Sequence, residues 1–512
     1  MPSQTLFEGD QHRDRARLPK ARQLQVAIGL SAVCLYLLVI GVVISGQVHR
    51  TDFIVPYTGG FILQHGDASK LYDLNQQMAV QEHVLKRRGL LIDPYPPFHA
   101  LFLAPLSTLD YRNAYLAWGA INVFLWLLFL YVLRRDTGFN HQPVRNLALC
   151  TLFFPLWLAI LQGQLSLFIL VAYMLTYACL KRKREYAAGF CLGLGLIKFQ
   201  AVLGFVLIGL LRKKWRFVLG FTSVGFLLGI LSVAVVGPTG ILSYVKLVLD
   251  IMKHPANPVY GEIMPWDMPT IGGFITGVFG GSIPSQWAGM VATCLSSGVI
   301  LVVVWRWNLE ERRQNGAAFD LIFASAMTIS LVTTPHLLAH DLAAMILAVV
   351  LVVNSPQWSQ KSHERWALIV AIAILYAGYF CLLMLHYRTG YIIGPTLVVF
   401  ALAALSLARR TTGETLSAQK QVTSSATQSD GHSDKSQFNL DAQLFRCGSA
   451  TSLWSRILGS ASKRLQCAPT PNGEKPSPHP SGKREETTQP FNTRIFRHCA
   501  FVASIKEPRQ TY

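Results

Sequence analysis

"QVAIGLSAVCLYLLVIGVVIS", residues 25–45, is an unbroken apolar run, and "GQVHRTDFIVPYTGG", residues 46–60, follows it directly. The run carries no charge and has the length of roughly 20 residues that a helix needs to cross a hydrocarbon core. A barrel strand would alternate apolar and polar residues, and this run does not. It is too long for the apolar region of a signal peptide and lacks a convincing small-x-small cleavage site, so it reads as a retained first helix over 24–46. A carboxylate, Asp52, then appears beside His49 and Arg50. Alone it is most simply a solvated loop residue. At a membrane surface it could do chemistry, and the rest of the chain has to decide.

The chain of 512 residues is 51% hydrophobic and 14% charged, with a mean hydropathy of +0.35. A soluble chain carries roughly 25% charged residues. The composition therefore implies an all-α polytopic membrane protein. The net charge of +19 is not a nucleic-acid signal. Its Lys and Arg residues sit between apolar runs, in "RDRARLPKAR", "KRKR", "RKKWR" and "RWNLEERR", as cytoplasmic loops do under the positive-inside rule. The nine cysteines contain no CxxC pair and lie mostly in apolar segments, as packing residues and not as a disulfide framework or metal site.

Further spans are expected at 113–133, 147–161, 165–180, 186–197, 199–211, 217–236, 286–305, 318–335, 339–354, 366–386 and 391–408, about 10–12 in all. The pair 186–197 and 199–211 is short and reads as a broken hairpin. Residues 96–109, bounded by prolines, read as a re-entrant or interfacial segment. Placing both termini in the cytoplasm puts the basic groups at 134–135, 181–184, 212–216, 306–313 and 409–410 inside. Lys86, Arg87 and Arg88, in the first outer loop, are the exception. A basic segment 1–23 and a membrane domain 24–410 are followed by 411–512, whose Ser/Thr- and Pro-rich composition predicts a disordered cytoplasmic tail with a short helix near 451–466.

On this path the conspicuous polar residues converge on the outer side. Asp52 follows the first span. "DPYPPF" (93–98) closes the first loop, with Tyr95 in it. "LQGQLS" (161–166) turns between two helices and carries Gln162 and Gln164. Lys198, in "GLIKFQ", sits at the apex of the short hairpin, and "TTPHLLAHDL" (333–342) brings His336, His340 and Asp341. Polar groups at a membrane are costly and by default functional. Each also has a plain reading: the prolines fix an extended turn, Gln-Gly-Gln is a tight turn, and Lys198 snorkels. His336 and His340, four residues apart, would share a helical face and could bind a metal, but no third ligand is evident. Together the groups make a polar outer-face cavity.

These segments resemble glycosyltransferase family 87, which includes polyprenyl-phosphate-mannose-dependent α-1,2-mannosyltransferases of the GT-C superfamily. The resemblance runs in order through "TDFIVPYTGGFILQHGDASKLYD", "YPPFHALFLAPLS", "QGQLSLFILVAYML", "AAGFCLGLGLIKFQAVLGFVLIGLLRKKWR" and "TTPHLLAHDLAAMIL", over roughly 25–408. It implies a GT-C-like bundle and a hexosyltransferase in a bacterial plasma membrane, with its active site facing the exterior. The implied substrates are a polyprenyl-phosphate sugar, mannose favoured, and a lipid or glycan acceptor among membrane lipids. No cofactor, metal or nucleic acid is implied, and the oligomeric state is left open. Asp52 occupies the position of the family's general base. Lys198, His336 and His340 are then the groups for the donor phosphate, and Tyr95, Gln162, Gln164 and Asp341 those for sugar and acceptor. Side chains around "MPWDMP" (264–269) are expected to line a prenyl groove. Where the family's lysine is often followed by proline, this chain has Phe199 and Gln200. Asp67, Asp73 and Asp93 are rival bases in the same loop; Asp52 is preferred for its closeness to the helix end.

A transporter or flippase for a lipid-linked sugar is the alternative. It would place polar groups near the midplane, often in two related halves, and no internal repeat is evident. The chain lacks a GxxxxGK[ST] loop and a soluble nucleotide-binding domain, which argues against a nucleotide-sugar enzyme.

Overall fold

The computed structural model of the chain describes residues 20–86, 90–253, 267–280, 282, 284–313, 316–384 and 390–429. Most of the basic segment 1–23, Arg87 and Arg88, residues 264–266 of "MPWDMP", and 430–512 with the helix expected near 451–466 lie outside them. The described residues divide into two units, one ending at Ser417 and one beginning at Ala418. Regular structure among the described residues is entirely helical, as the apolar periodicity predicts.

Helix α1 (Lys20–Ile44) is the expected first span, and only 11% of its most apolar stretch is buried in the protein, so it presents its surface to lipid. Three short helices fill the loop behind it: α2 (Ile54–His65), α3 (Leu74–Leu85) and α4 (His99–Leu103). The second long helix, α5 (Tyr111–Asp136), packs against α1. Then α6 (Pro143–Thr151) and α7 (Phe154–Leu161) form one apolar segment bent by 48°. Pro155 at the start of α7 has no N–H to give the preceding turn, which places the break there.

Next come α8 (Ser166–Lys181), α9 (Glu185–Gly193), a 3-10 turn (Leu194–Lys198) and α10 (Gln200–Leu211). The hairpin is thus broken as expected, with Lys198 at its apex. The segment α11 (Trp215–Lys253) is two helices meeting at a kink: the first ends at 236 as expected, Gly237 leaves helical geometry with a positive φ of 69°, and a second helix starts at Pro238. The remainder is α12 (Ile271–Phe279), α13 (Ser285–Arg312), α14 (Phe319–Val332), a 3-10 turn (Ala339–Ala344) leading into α15 (Met345–Val353), α16 (His363–Ala373), α17 (Tyr379–Met384) and α18 (Gly390–Ser429). The last helix therefore continues past Arg410 into the expected tail.

Among the described residues six helices are long and apolar enough to cross a membrane, seven if the bent pair is one span. The sequence predicts 10–12. The difference lies in Ser166–Lys181, Glu185–Gly193, Gln200–Leu211, Phe319–Val332 and Ala339–Val353, which are short. At ~1.5 Å per residue even the longest of them covers ~24 Å, less than the ~30 Å hydrocarbon core. Such segments survive in a membrane when protein covers them. Every residue of α14 from Leu321 to Val332, and all of α15, is buried.

Between lipid-solvated helices the hydrophobic effect offers little, so close approach of backbones has to supply the attraction. Helices α9 and α11 show it: a Cβ on Gly189 would lie 1.8 Å from the Phe217 carbonyl oxygen, and one on Gly220 would lie 2.1 Å from that of Tyr186. The short core helices also separate two polar regions. Their basic ends are braced by Lys181–Asp320 at 3.4 Å, Lys214–Glu185 at 3.1 Å, and Glu311 paired with both Lys214 and Arg212 at 2.7 Å. Their other ends meet around Asp52.

Candidate active site

Helix α7 ends in the turn that organises this region. The Gln164 N–H donates to the Ala159 carbonyl at 2.9 Å and the Gly163 N–H to that of Ile160 at 3.1 Å. This is a Schellman closure with Gly163 in the left-handed position, φ 68°. Two side chains of α5 grip the same turn: Tyr115 Oη donates to the Leu161 carbonyl at 2.7 Å, and Trp118 Nε1 to that of Gly163 at 2.9 Å. A Cβ on Gly163 would sit 2.6 Å from Phe53 Cβ, so the turn lies directly on the residue after Asp52. Phe53 is fully buried among Tyr111, Tyr115 and Trp118.

Asp52 is therefore held from both sides. Its backbone N–H donates to Gln162 Oε1 at 3.2 Å, and its Oδ2 accepts from Gln164 Nε2 at 2.7 Å. The side-chain oxygen Gln164 Oε1 accepts from Lys198 Nζ and from the Tyr95 hydroxyl, each at 3.2 Å. With two donors on its oxygen, the Gln164 amide must turn its NH2 toward Asp52.

Lys198 completes the cluster. Its Nζ donates to Asp341 Oδ1 at 2.5 Å and to Ser166 Oγ at 3.2 Å, and Ser166 Oγ donates to the same Asp341 oxygen at 2.7 Å. The other carboxylate oxygen accepts from the Leu338 N–H at 3.2 Å. Asp341, expected to hold sugar hydroxyls, is thus occupied as the counter-ion of Lys198. His340 Nε2 lies 3.5 Å from Asp341 Oδ1. His336 is in the irregular segment before the Ala339–Ala344 turn, so the helical face that it would share with His340 does not form. Pro335 restrains Thr334 before it away from helix, which fits the end of α14 at Val332. Phe199, where the family often has proline, leads straight into α10 with helical backbone angles.

The structure brings Asp52, Tyr95, Gln162, Gln164, Lys198 and Asp341 into one hydrogen-bonded cluster, with His340 3.5 Å from Asp341 and His336 close enough to feel the charges of Asp341 and Lys198. The rival carboxylates have other work. Asp67 accepts from the Ser69 N–H and caps a 3-10 turn, and Asp73 caps α3 through Asn75 and Gln76. Asp93 is fully buried and pairs with His99 at 2.9 Å. Ser166 and His99 are the members that sequence reasoning missed. Both stand at the edge of a quoted motif, "LQGQLS" and "YPPFH", and that adjacency was the available signal.

Burial raises the Asp52 carboxyl above its ordinary range, against the opposing pull of the Gln164 amide and the Lys198 charge. A raised carboxylate that keeps some open surface is a fitting proton acceptor. Burial holds the His336 ring below its ordinary value, so at neutral pH it offers a neutral N–H. At the basic ends of the core helices a cavity of about 720 Å³ is lined by Arg212, Lys214, Glu311, Phe217 and Trp307. Its Arg212 and Lys214 both pair with Glu311, which braces the helix ends.

Residues 94–335 match the profile of glycosyltransferase family 87. Tyr95, Gln162, Gln164 and Lys198 fall inside the match; Asp52, His336, His340 and Asp341 fall outside it. No curated protein and no solved structure matches the chain.

Proposed function

We propose that this chain, a membrane glycosyltransferase whose residues 94–335 belong to glycosyltransferase family 87, moves a sugar from a polyprenyl-phosphate donor to a hydroxyl of a lipid or glycan acceptor. The observation that carries the reading is the Asp52–Gln164–Lys198 chain, a proton acceptor and a buried cation tied to the two ends of one amide. Glycosyl transfer needs both: a base for the attacking hydroxyl and donors for the departing phosphate.

In the proposed step Asp52 takes the acceptor's hydroxyl proton as that oxygen bonds to sugar C1. The C1–O bond to phosphate breaks on the opposite face, its electron pair stays with the phosphate oxygen, and C1 is inverted. Lys198 turns one N–H from its neutral partners, Ser166 or Gln164, to the phosphate, and a His336 N–H adds a second donor, with His340 beside them. Tyr95 and Gln162 hold sugar or acceptor hydroxyls. Mannose is the favoured sugar. The positive-inside rule puts the basic helix ends in the cytoplasm and the Asp52 cluster on the outer face of a bacterial plasma membrane, with both termini inside. The lipid-linked sugar is the substrate, and the proposed step calls on no cofactor.

Purified protein should be offered labelled polyprenyl-phosphate sugars and nucleotide sugars with membrane lipid and glycan acceptors. Labelled product from at least one polyprenyl-phosphate sugar and none from nucleotide sugars is expected. Product from nucleotide sugars alone would remove the proposed donor.

A further inference from the structure

Asp93 and His99 form an ion pair at the heart of the first loop that the transfer step does not use. Both side chains are fully shielded, with Asp93 Oδ2 2.9 Å from His99 Nε2. His99 Nδ1 lies 2.8 Å from the Pro96 carbonyl oxygen. That carbonyl only accepts, so Nδ1 carries a proton, and Nε2 faces the carboxylate at ion-pair distance. Burying such a couple is expensive, and an apolar replacement of similar volume is often as stable. Its presence asks for a task.

We infer that the Asp93–His99 couple is a positioning device for Asp52, acting through Tyr95 and Gln164. The inference rests on the proposed role of Asp52 as base. Asp93 Oδ1 accepts from the Tyr95 N–H at 3.0 Å, so one carboxylate oxygen holds His99 and the other holds Tyr95. The Tyr95 carbonyl accepts from the Tyr72 hydroxyl at 2.6 Å, and its ring lies 5.4 Å from that of His99. Its hydroxyl then donates to Gln164 Oε1, one of the two contacts that turn the Gln164 amide toward Asp52. A second path runs through α2, which starts two residues after Asp52. A Cβ on Gly59 would lie 2.7 Å from His99 Nε2 and 2.8 Å from Asp93 Oδ2, so α2 rests on the couple itself.

The groups facing the couple are Tyr72, Tyr95 and Tyr244 from α11, all phenols. Those facing Asp52 are Gln164, Lys198 and Tyr95, with Asp93 and Asp341 beyond Tyr95. Losing the couple frees Tyr95, which loosens Gln164 and takes a hydrogen bond from the ionised form of Asp52.

The test compares kcat and KM against pH for wild type, Asp52→Asn, Asp93→Asn, Tyr95→Phe and Asp93→Asn/Tyr95→Phe in the full chain. Asp93→Asn should lower kcat by on the order of 10- to 100-fold, the scale of a small misplacement, with the donor KM little changed. Its acid limb of kcat/KM should move to higher pH, as should that of Tyr95→Phe, and the double variant should move no further. If Asp93→Asn does not fold, His99→Ala should shift the limb and His99→Gln, which can still donate to Asp93, should restore it. An unmoved acid limb in every folded variant overturns the inference. Full transfer by Asp52→Asn would instead overturn the base itself, a separable outcome.

Discussion

Lys198 Nζ lies 2.5 Å from Asp341 Oδ1 with both side chains almost wholly shielded, although 143 residues separate them in the chain. The pair ties the apex of the α9–α10 hairpin to the turn that opens α15. Breaking a buried pair by removing one partner typically costs about 3–5 kcal/mol, whereas replacing both costs far less. Asp341→Leu and Lys198→Met should each lower the thermal midpoint in detergent, and the double variant should be more stable than either. Additive losses would mean that the two side chains are not coupled.

Asp52 gives the pH dependence its sign. A base acts in its ionised form, and burial raises the Asp52 carboxyl above its ordinary 3.8. Transfer should therefore be full above that raised value and fall as the pH drops through it, so the acid limb of kcat/KM lies above 3.8. Gln164 opposes the shift by donating to the carboxylate. Gln164→Leu should move the limb still higher, measured with saturating acceptor across a pH series.

The turn at Gly163 is intolerant of a side chain. A left-handed residue with a Cβ costs about 1–2 kcal/mol in backbone strain alone, and here that Cβ would also meet Phe53 Cβ at 2.6 Å. Gly163→Ala should lower the thermal midpoint and depress transfer together, because Phe53 adjoins Asp52.

Two turns at the basic helix ends run the same experiment in reverse. Lys183 and Lys213 both have a φ of 58°, closing α8 and α10 where glycine is usual. Lys213→Gly should stabilise the protein by up to about 1 kcal/mol through relieved strain, read as a raised midpoint with transfer unchanged.

The helical class of the fold was legible in the uninterrupted apolar runs, and so was the broken hairpin around Lys198, because its halves are too short to span. The number of full-length helices was not. Periodicity cannot tell an apolar helix buried in protein from one facing lipid, and α14 and α15 are of the first kind. The convergence of Asp52, Gln164 and Lys198 followed from an alternating topology with basic turns on one side. The contacts within it did not: that Asp341 would be the counter-ion of Lys198 depends on packing across helices distant in sequence. The Asp93–His99 couple was hidden for the same reason, since Asp93 in isolation reads as one more loop carboxylate.

The most direct test of the central claim is transfer from a labelled polyprenyl-phosphate sugar by purified Asp52→Asn protein, with its fold checked by thermal midpoint against wild type. The amide keeps the shape of the carboxylate and removes its basicity, so transfer should drop by on the order of 10²- to 10⁴-fold, the usual contribution of a general base. A well-folded Asp52→Asn protein that transfers at the wild-type rate would contradict the account.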